Sequence, residues 1–378
     1  MSFMTNNKIT PPRARENVRE SYVDIGKGLA ITAIVCGHIF GAFPTWLTGF
    51  WPVAFFFVVA GFYIKEERLE HPLKFVRHKI STLYLPGTII YLLAVMMHNT
   101  LCRWDVYPIG SAHPMTHQPF ELWDTKEYIY NLIKTVFVPN GELAMGAMWF
   151  LYALFFSLCF LSLIYFVTSR IKEIEGRDKW RGFLIILLST LSIGLAVYGV
   201  KIPRLGNAFT IMIFIYAGML FKQRCSIRFN SLPMFFVAIV VYAQGIILPH
   251  VFPSFPVNRF PDVILPLAMS LAAVYIVLYI ARRIERVFVL SKLFVLLGQE
   301  SLYIMALHIF GFFICTGIIN LAGCNAGLTM GNTLYTYNVG NNILLAFLYM
   351  LFGLAFPVVT IAVFRVCKTK VMSLMIKR

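Results

Sequence analysis

Charge is what this chain has least of. Only 13% of its 378 residues are charged, acidic residues number 17, and 59% are hydrophobic, with a mean hydropathy of +0.74. A soluble domain of this length needs far more polar surface to cover its core, so the composition excludes one and implies a polytopic membrane protein. Long hydrophilic stretches are also missing, which leaves one membrane domain and no separate soluble module. The 7 cysteines form no CxxC and no Cys/His cluster at metal-ligand spacing, so no metal is expected. His113 and His117 in "HPMTH" have i,i+4 spacing, but Pro114 argues against one helix there. Cys102 and Cys324 fall in predicted external loops and could pair in an oxidising compartment. The basic residues are scattered over short loops instead of forming a stripe, so no nucleic-acid partner is expected. No cleavable leader pattern precedes the first apolar run, which is expected to remain as a helix. No internal repeat emerges, which disfavours transporter folds built from duplicated halves.

What the chain has is apolar runs of helical length. Ten lie near 24–43, 48–64, 81–98, 147–169, 182–200, 206–221, 232–249, 261–280, 296–319 and 342–366, each close to the length that crosses about 30 Å of hydrocarbon at 1.5 Å per residue. The expected fold is all-α, with about ten transmembrane helices in the lipid bilayer. With the N-terminus inside, 27 of the 33 Lys and Arg fall on the cytosolic side, and only Arg103, Lys126, Lys134, Lys201, Arg204 and Arg259 lie outside. That asymmetry predicts both termini in the cytosol. The net charge of +16 is then mainly an orientation signal. The expected organisation is a cytosolic basic segment over 1–23, a membrane domain over 24–366 and a cytosolic basic tail over 367–378. The longest extramembrane segment, 99–146, is external, and in a compact bundle such a loop suits a lid or acceptor platform. Within it "KEYIYNLIKTVFVP" spaces Tyr128, Leu132 and Val136 like a helix lying along the interface. Pro86, Pro266 and Pro357, in or near helices, mark expected kinks beside cavities.

Ionisable groups inside a bilayer are costly and mark function by default. In "DIGKGLAITAIVCGHIF" (24–40) the run ends on His38, and in "GQESLYIMALHIF" a second imidazole stands at His308. Each lies about ten residues, roughly 15 Å of rise, beyond a glycine near the inner end of its span, so both are expected near mid-depth. A lone histidine in a span usually serves as a hydrogen bond to a neighbouring helix. Two at matched depth point instead to chemistry, with imidazole as general base for a hydroxyl or amine nucleophile, or as a transient acyl carrier. Asp24 shares a face with His38 but lies about 20 Å below it, too far to orient the ring, and is expected to pair with Lys27 or a basic loop. Ser301 and His308 are seven residues apart on one stripe, about 10 Å along the axis, and serve different points of one cavity. Lys74, Arg77, His78 and Lys79 gather at the cytosolic mouth of the third span. They are positive-inside residues that would also suit a phosphate-bearing donor.

These motifs look familiar together. "YVDIGKGLAITAIVCGH" (22–38) resembles the opening motif of the acyltransferase family 3 membrane proteins, most closely the fucose 4-O-acetylase-like branch. "FWPVAFFFVVAGFYI" (50–64) is similar to the family's Pro-x-Phe-Phe-Phe-x-x-Ser-Gly-Phe pattern, "MWFLYALFF" to its Trp-Phe-Leu block, and "ESLYIMALHIF" (300–310) to its Ser-x-Tyr-Ile-Tyr-x-x-His block. The blocks come in the family's order and span about 20 to 366. Ala60 stands where the family commonly has Ser, and the usual RxxR pair is here Lys74-x-x-Arg77 followed by Lys79. The resemblance implies transfer of an acyl group, usually acetyl from acetyl-CoA, across the membrane to a hydroxyl of a cell-envelope glycan or lipid-linked sugar. It assigns the catalytic role to His38 and the CoA phosphates to Lys74, Arg77 and Lys79; His308 is expected to serve as a second acid/base or acceptor-positioning group. It also points to the bacterial inner membrane, and a homo-oligomer is compatible with it. The opposing expectation is a transporter or exporter of a glycan or small solute, with the histidines as a proton relay.

Overall fold

The computed structural model describes residues 20–39, 42–107, 109–110, 119–137, 142–200, 205–224, 229–248, 254–255, 258–323 and 342–376. His113, His117 and Cys324 lie outside them, so the metal and disulfide expectations go unexamined; Cys102 is buried at the outer end of its helix.

The described residues form helices, with one isolated β-bridge, Ser254 to Arg259. α1 (Ser21–Gly37), α2 (Thr45–Thr48) and α3 (Trp51–Phe62) open the bundle. They are followed by α4 (Glu66–Leu69), α5 (Pro72–Lys79) and α6 (Leu85–Arg103), the last two joined by a π-helical turn over Ile80–Tyr84. α7 (Thr125–Phe137), α8 (Trp149–Thr168), α9 (Ile174–Val197), α10 (Leu205–Met219) and α11 (Leu232–Ile247) come next. α12 (Leu265–Ile284), α13 (Phe288–Gln299), α14 (Ser301–Leu321) and α15 (Ile343–Ile376) complete the chain. Among the described residues, eight helical stretches are long and apolar enough to cross a membrane. With α1 and α11 they account for all ten expected segments.

α1 is the axis of the bundle. It packs against α3, α12, α13, α14 and α15, and nearly all its residues from Tyr22 to Cys36 are buried. A helix enclosed on every side needs no polar face, which is why this one is apolar all round once past Lys27. Lipid offers no hydrophobic drive for helix pairing, so close approach rests on small residues. A Cβ at Gly298 would collide with the Asp24 carbonyl, and one at Gly28 with that of Phe294. These two contacts set α13 antiparallel against α1.

The structure corrects three expected boundaries. α1 stops at Gly37 instead of running to 43, and His38 takes the C-cap position, its amide bonded back to the Ile34 and Val35 carbonyls. The ninth span starts at Ser301, not 296, because the chain breaks at Glu300, whose carboxylate is gripped by both nitrogens of the Arg365 guanidinium at 2.6 and 2.9 Å. The residues before the break form α13, a helix too short to span. The segment expected along the interface, α7, instead folds back beside α6. The Tyr128 hydroxyl donates to the Met96 carbonyl at 2.8 Å and the Tyr84 hydroxyl to that of Val136 at 2.7 Å, so the two helices run antiparallel. The apolar face of α7, Ile129, Ile133 and Phe137, is exposed.

Candidate functional site

His38 comes from the end of α1 and His308 from the second turn of α14, and the fold brings them together. Their ring centroids are 4.9 Å apart with planes inclined at 60°. The Nδ1–H of His38 donates to the Ile34 carbonyl at 2.8 Å, and that of His308 to the carbonyls of Ile304 and Met305 at 2.9 and 3.0 Å. A carbonyl only accepts, so both rings carry the proton on Nδ1 and present a lone pair at Nε2. His308 is fully enclosed, and its Nε2 finds no hydrogen-bond partner among the described residues. Most buried polar atoms in folded proteins are hydrogen-bonded, so this nitrogen stands out.

His38 opens onto a cavity of about 360 Å³. Thr45 and Thr48 of α2, Trp149 at the head of α8, Ser254 and Met305 share its wall. Gly146 and Ala147, which also line it, belong to a short 3-10 turn over Leu143–Met148 that leads into α8. The compartment holds a base, three hydroxyl-bearing residues and four aromatic ones, Phe50, Trp149, Phe150 and Phe255, a set that can seat and deprotonate a hydroxyl-bearing ring.

The other expected residues lie apart from it. Asp24 is buried and pairs with Lys27 at 2.8 Å, four turns below His38. Ser301 is the first residue of α14, beside the Glu300–Arg365 pair, and does not line the cavity. Lys74 and Arg77 are exposed on α5, and Lys79 lies over the Phe75 ring at 5.4 Å.

A family model for the acyltransferase domain matches residues 20–362. The chain belongs to the acyltransferase 3 family. It is a membrane acyltransferase, and two of the ordered sequence blocks fall on α1 and α14, which carry the histidine pair, and the other two on α3 and α8, which line the cavity beside it. No curated protein and no solved structure matches it.

The acyltransferase also carries a buried polar network that sequence reasoning missed. The His98 Nδ1 meets the Glu142 carboxylate at 2.7 Å, and its Nε2 meets the Glu121 carbonyl at 3.1 Å. Both nitrogens therefore face acceptors, which suits an imidazolium with Glu142 as counter-ion. The Tyr107 hydroxyl donates to the other Glu142 oxygen at 3.0 Å and accepts from the Ala144 amide, while the Glu142 amide donates to the Tyr91 hydroxyl at 3.0 Å. Trp123 stacks flat on the His98 ring at 3.5 Å. Burial pushes the Glu142 carboxyl up, against the pull of the His98 and Tyr107 hydrogen bonds. Glu142 immediately precedes the turn that lines the His38 cavity, so the network fixes that wall. A histidine at the end of the third apolar run was the available signal, by the same rule that marked His38.

Proposed function

We propose that the acyltransferase moves an acyl group, acetyl being the expected one, from cytosolic acyl-CoA to a hydroxyl of a cell-envelope sugar on the external side. The observation that carries the reading is the meeting of His38 and His308, each held by its own helix with Nε2 free to take a proton. In the step envisaged, His38 Nε2 removes the proton of the acceptor hydroxyl as its oxygen bonds to the thioester carbon. The C–S bond then breaks, and the imidazolium returns that proton to the departing thiolate, giving CoA thiol and an ester. His38 acting as acyl carrier divides the same exchange into two transfers, through an acyl-imidazole. His308 backs His38 as a second acid/base or acceptor-positioning group.

The donor geometry agrees with this reading. Trp149 lines the cavity, and Tyr152, one turn inward, bonds Thr88 of α6 at 3.4 Å. The cavity is thus level with about Tyr91, twelve residues or roughly 18 Å of rise beyond Lys79. A pantetheine arm, on the order of half the bilayer core in length, covers most of that rise from phosphates held near Lys74, Arg77 and Lys79. Purified protein in nanodiscs, given radiolabelled acetyl-CoA and an envelope glycan extract, tests the proposal. Release of CoA with label in the glycan, lost in His38→Ala, supports it. Absence of turnover with any acyl-CoA, in protein that dissipates a proton gradient, sinks it in favour of transport.

A further inference from the structure

On the other side of α1 from the histidine cavity lies a second, larger one of about 500 Å³, walled by α1, α2, α11 and α12. Four of its polar lining side chains are already spent. Thr32 donates its hydroxyl to the Gly28 carbonyl at 2.8 Å, Thr48 to that of Pro44 at 3.3 Å, and Tyr242 to that of Trp46, while the Trp51 indole donates to Leu47 at 2.8 Å. These bonds turn the hydrogen-bonding groups back on the protein and leave a wall suited to hydrocarbon. The rim residues Ile246 and Ile280 are exposed on membrane helices, so the cavity opens sideways at bilayer depth.

Two features tie this groove to the reaction. Thr48 lines both cavities, and Gly37, without a side chain, packs on the Thr48 backbone between them. The groove also has a direction. It starts beside Cys36, two residues from His38, and runs along α1 to Leu29, about 10 Å of rise toward the cytosolic end. Its outer end is roofed by Trp46, at 42% exposure.

We propose that this groove seats the hydrocarbon tail of the acyl acceptor, which makes the acceptor an outer-leaflet amphiphile whose sugar hydroxyl reaches His38 in the adjoining cavity. The inference rests on the acyl-transfer reading and its orientation. With its head drawn down to His38, a lipid entering from the outer leaflet has its tail directed inward, the direction in which the groove runs from His38. The acyl chain of a donor rising from the cytosol would have to double back to occupy it. In hydrocarbon surroundings a tail gains little from apolar contact alone, so the groove acts by registering the head against His38.

The test uses hexyl and dodecyl β-glucosides as acceptors in nanodiscs, with a dodecyl glucoside bearing a terminal diazirine as photoprobe. Ala243→Trp plugs the groove from α11 without entering the histidine cavity, and Ala243→Leu plugs it partly. The wild type should prefer dodecyl to hexyl glucoside by at least about tenfold more in kcat/KM than Ala243→Trp does, with Ala243→Leu between. A ratio is unaffected by the fraction of folded protein. Photolabel should map to groove residues of α1, α11 and α12 and disappear in Ala243→Trp. An equal ratio in all three proteins means that partition into the bilayer alone sets the preference, and overturns the proposal. Label spread over lipid-facing helices such as α9 and α15, or displaced by lauroyl-CoA and not by dodecyl glucoside, overturns it too. Equal acetylation of glucose and both glucosides removes the groove and keeps acyl transfer; failure to release CoA with any acceptor removes acyl transfer itself, with photolabelling still judging the groove.

Discussion

A base enclosed in a membrane must keep its lone pair aimed and its proton accounted for, and both histidines do this with carbonyls of their own helices. The arrangement needs no third residue, which explains why Asp24 can stand four turns away. His38→Ala should lower kcat by about 10²- to 10⁴-fold, the usual worth of a general base, with helical content unchanged by circular dichroism. His38→Gln, which keeps a polar side chain but no base, should fare no better; activity retained in it would reduce His38 to a structural hydrogen bond. The Glu142 network makes a different prediction, because it stands behind the wall of the His38 cavity and does not line it. Glu142→Gln leaves the imidazolium of His98 buried without its counter-charge and should cost about 3–5 kcal/mol of stability. Thermal denaturation should show it, and combination with His98→Gln should cost less than the two single changes summed. His38 and His308 were legible because each interrupts an apolar run. Glu142 was not, because its partner lies 44 residues away and neither residue signals the other.

Helices are held in place here by single polar anchors, and these were the least legible parts of the chain. Arg181 counts in the sequence as one more cytosolic cation. In the structure it is buried, 2.5 Å from Glu70, 3.5 Å from Glu66 and 3.4 Å from Asp178, with its guanidinium 4.1 Å over the Tyr165 ring. It therefore latches α9 to α4 and α8. Arg181→Ala takes away the buried cation that draws these carboxylates together and should destabilise the protein by about 2–3 kcal/mol, whereas Lys179→Ala, which breaks an exposed i,i+4 pair, should change stability by less than about 1 kcal/mol. Equal midpoints for the two variants would remove Arg181 as an anchor. Helix existence could be read from apolar length, so all ten segments were found. Where a helix breaks depends on contacts distant in sequence, so Glu300 split an expected span when Arg365 gripped it. The case of α7 is similar, since its amphipathic spacing fits an interfacial helix as well as one laid along α6. Only the tyrosine hydroxyls of Tyr84 and Tyr128 decide between the two.

At the scale of the whole molecule, the reaction depends on two sides being different. The bundle exposes large apolar side chains over much of its girth, such as Leu93, Leu191, Val240 and Leu351, an area no monomeric soluble protein leaves bare. The aromatic residues Trp104 and Tyr198 stand exposed just past the ends of α6 and α9, at the level of an interfacial belt. Beyond these belts the cations are unevenly shared, and that asymmetry was the clearest global message of the sequence. If it sets orientation, α5 and its cations face the cytosol and Arg103 faces outward. Acetyl-CoA does not cross membranes unaided, so sealed vesicles report the arrangement directly. Inverted vesicles should consume external acetyl-CoA and deposit label on acceptor trapped in the lumen, while right-side-out vesicles should consume none until permeabilised. A maleimide that cannot cross the membrane should modify Arg103→Cys only from the external side and Lys74→Cys only from the cytosolic one, in a background stripped of native thiols. Consumption by right-side-out vesicles, with the labelling pattern reversed, would put the cation cluster on the acceptor's side. Lys74, Arg77 and Lys79 would then be unable to hold the donor, and the direction of transfer would have to be turned around.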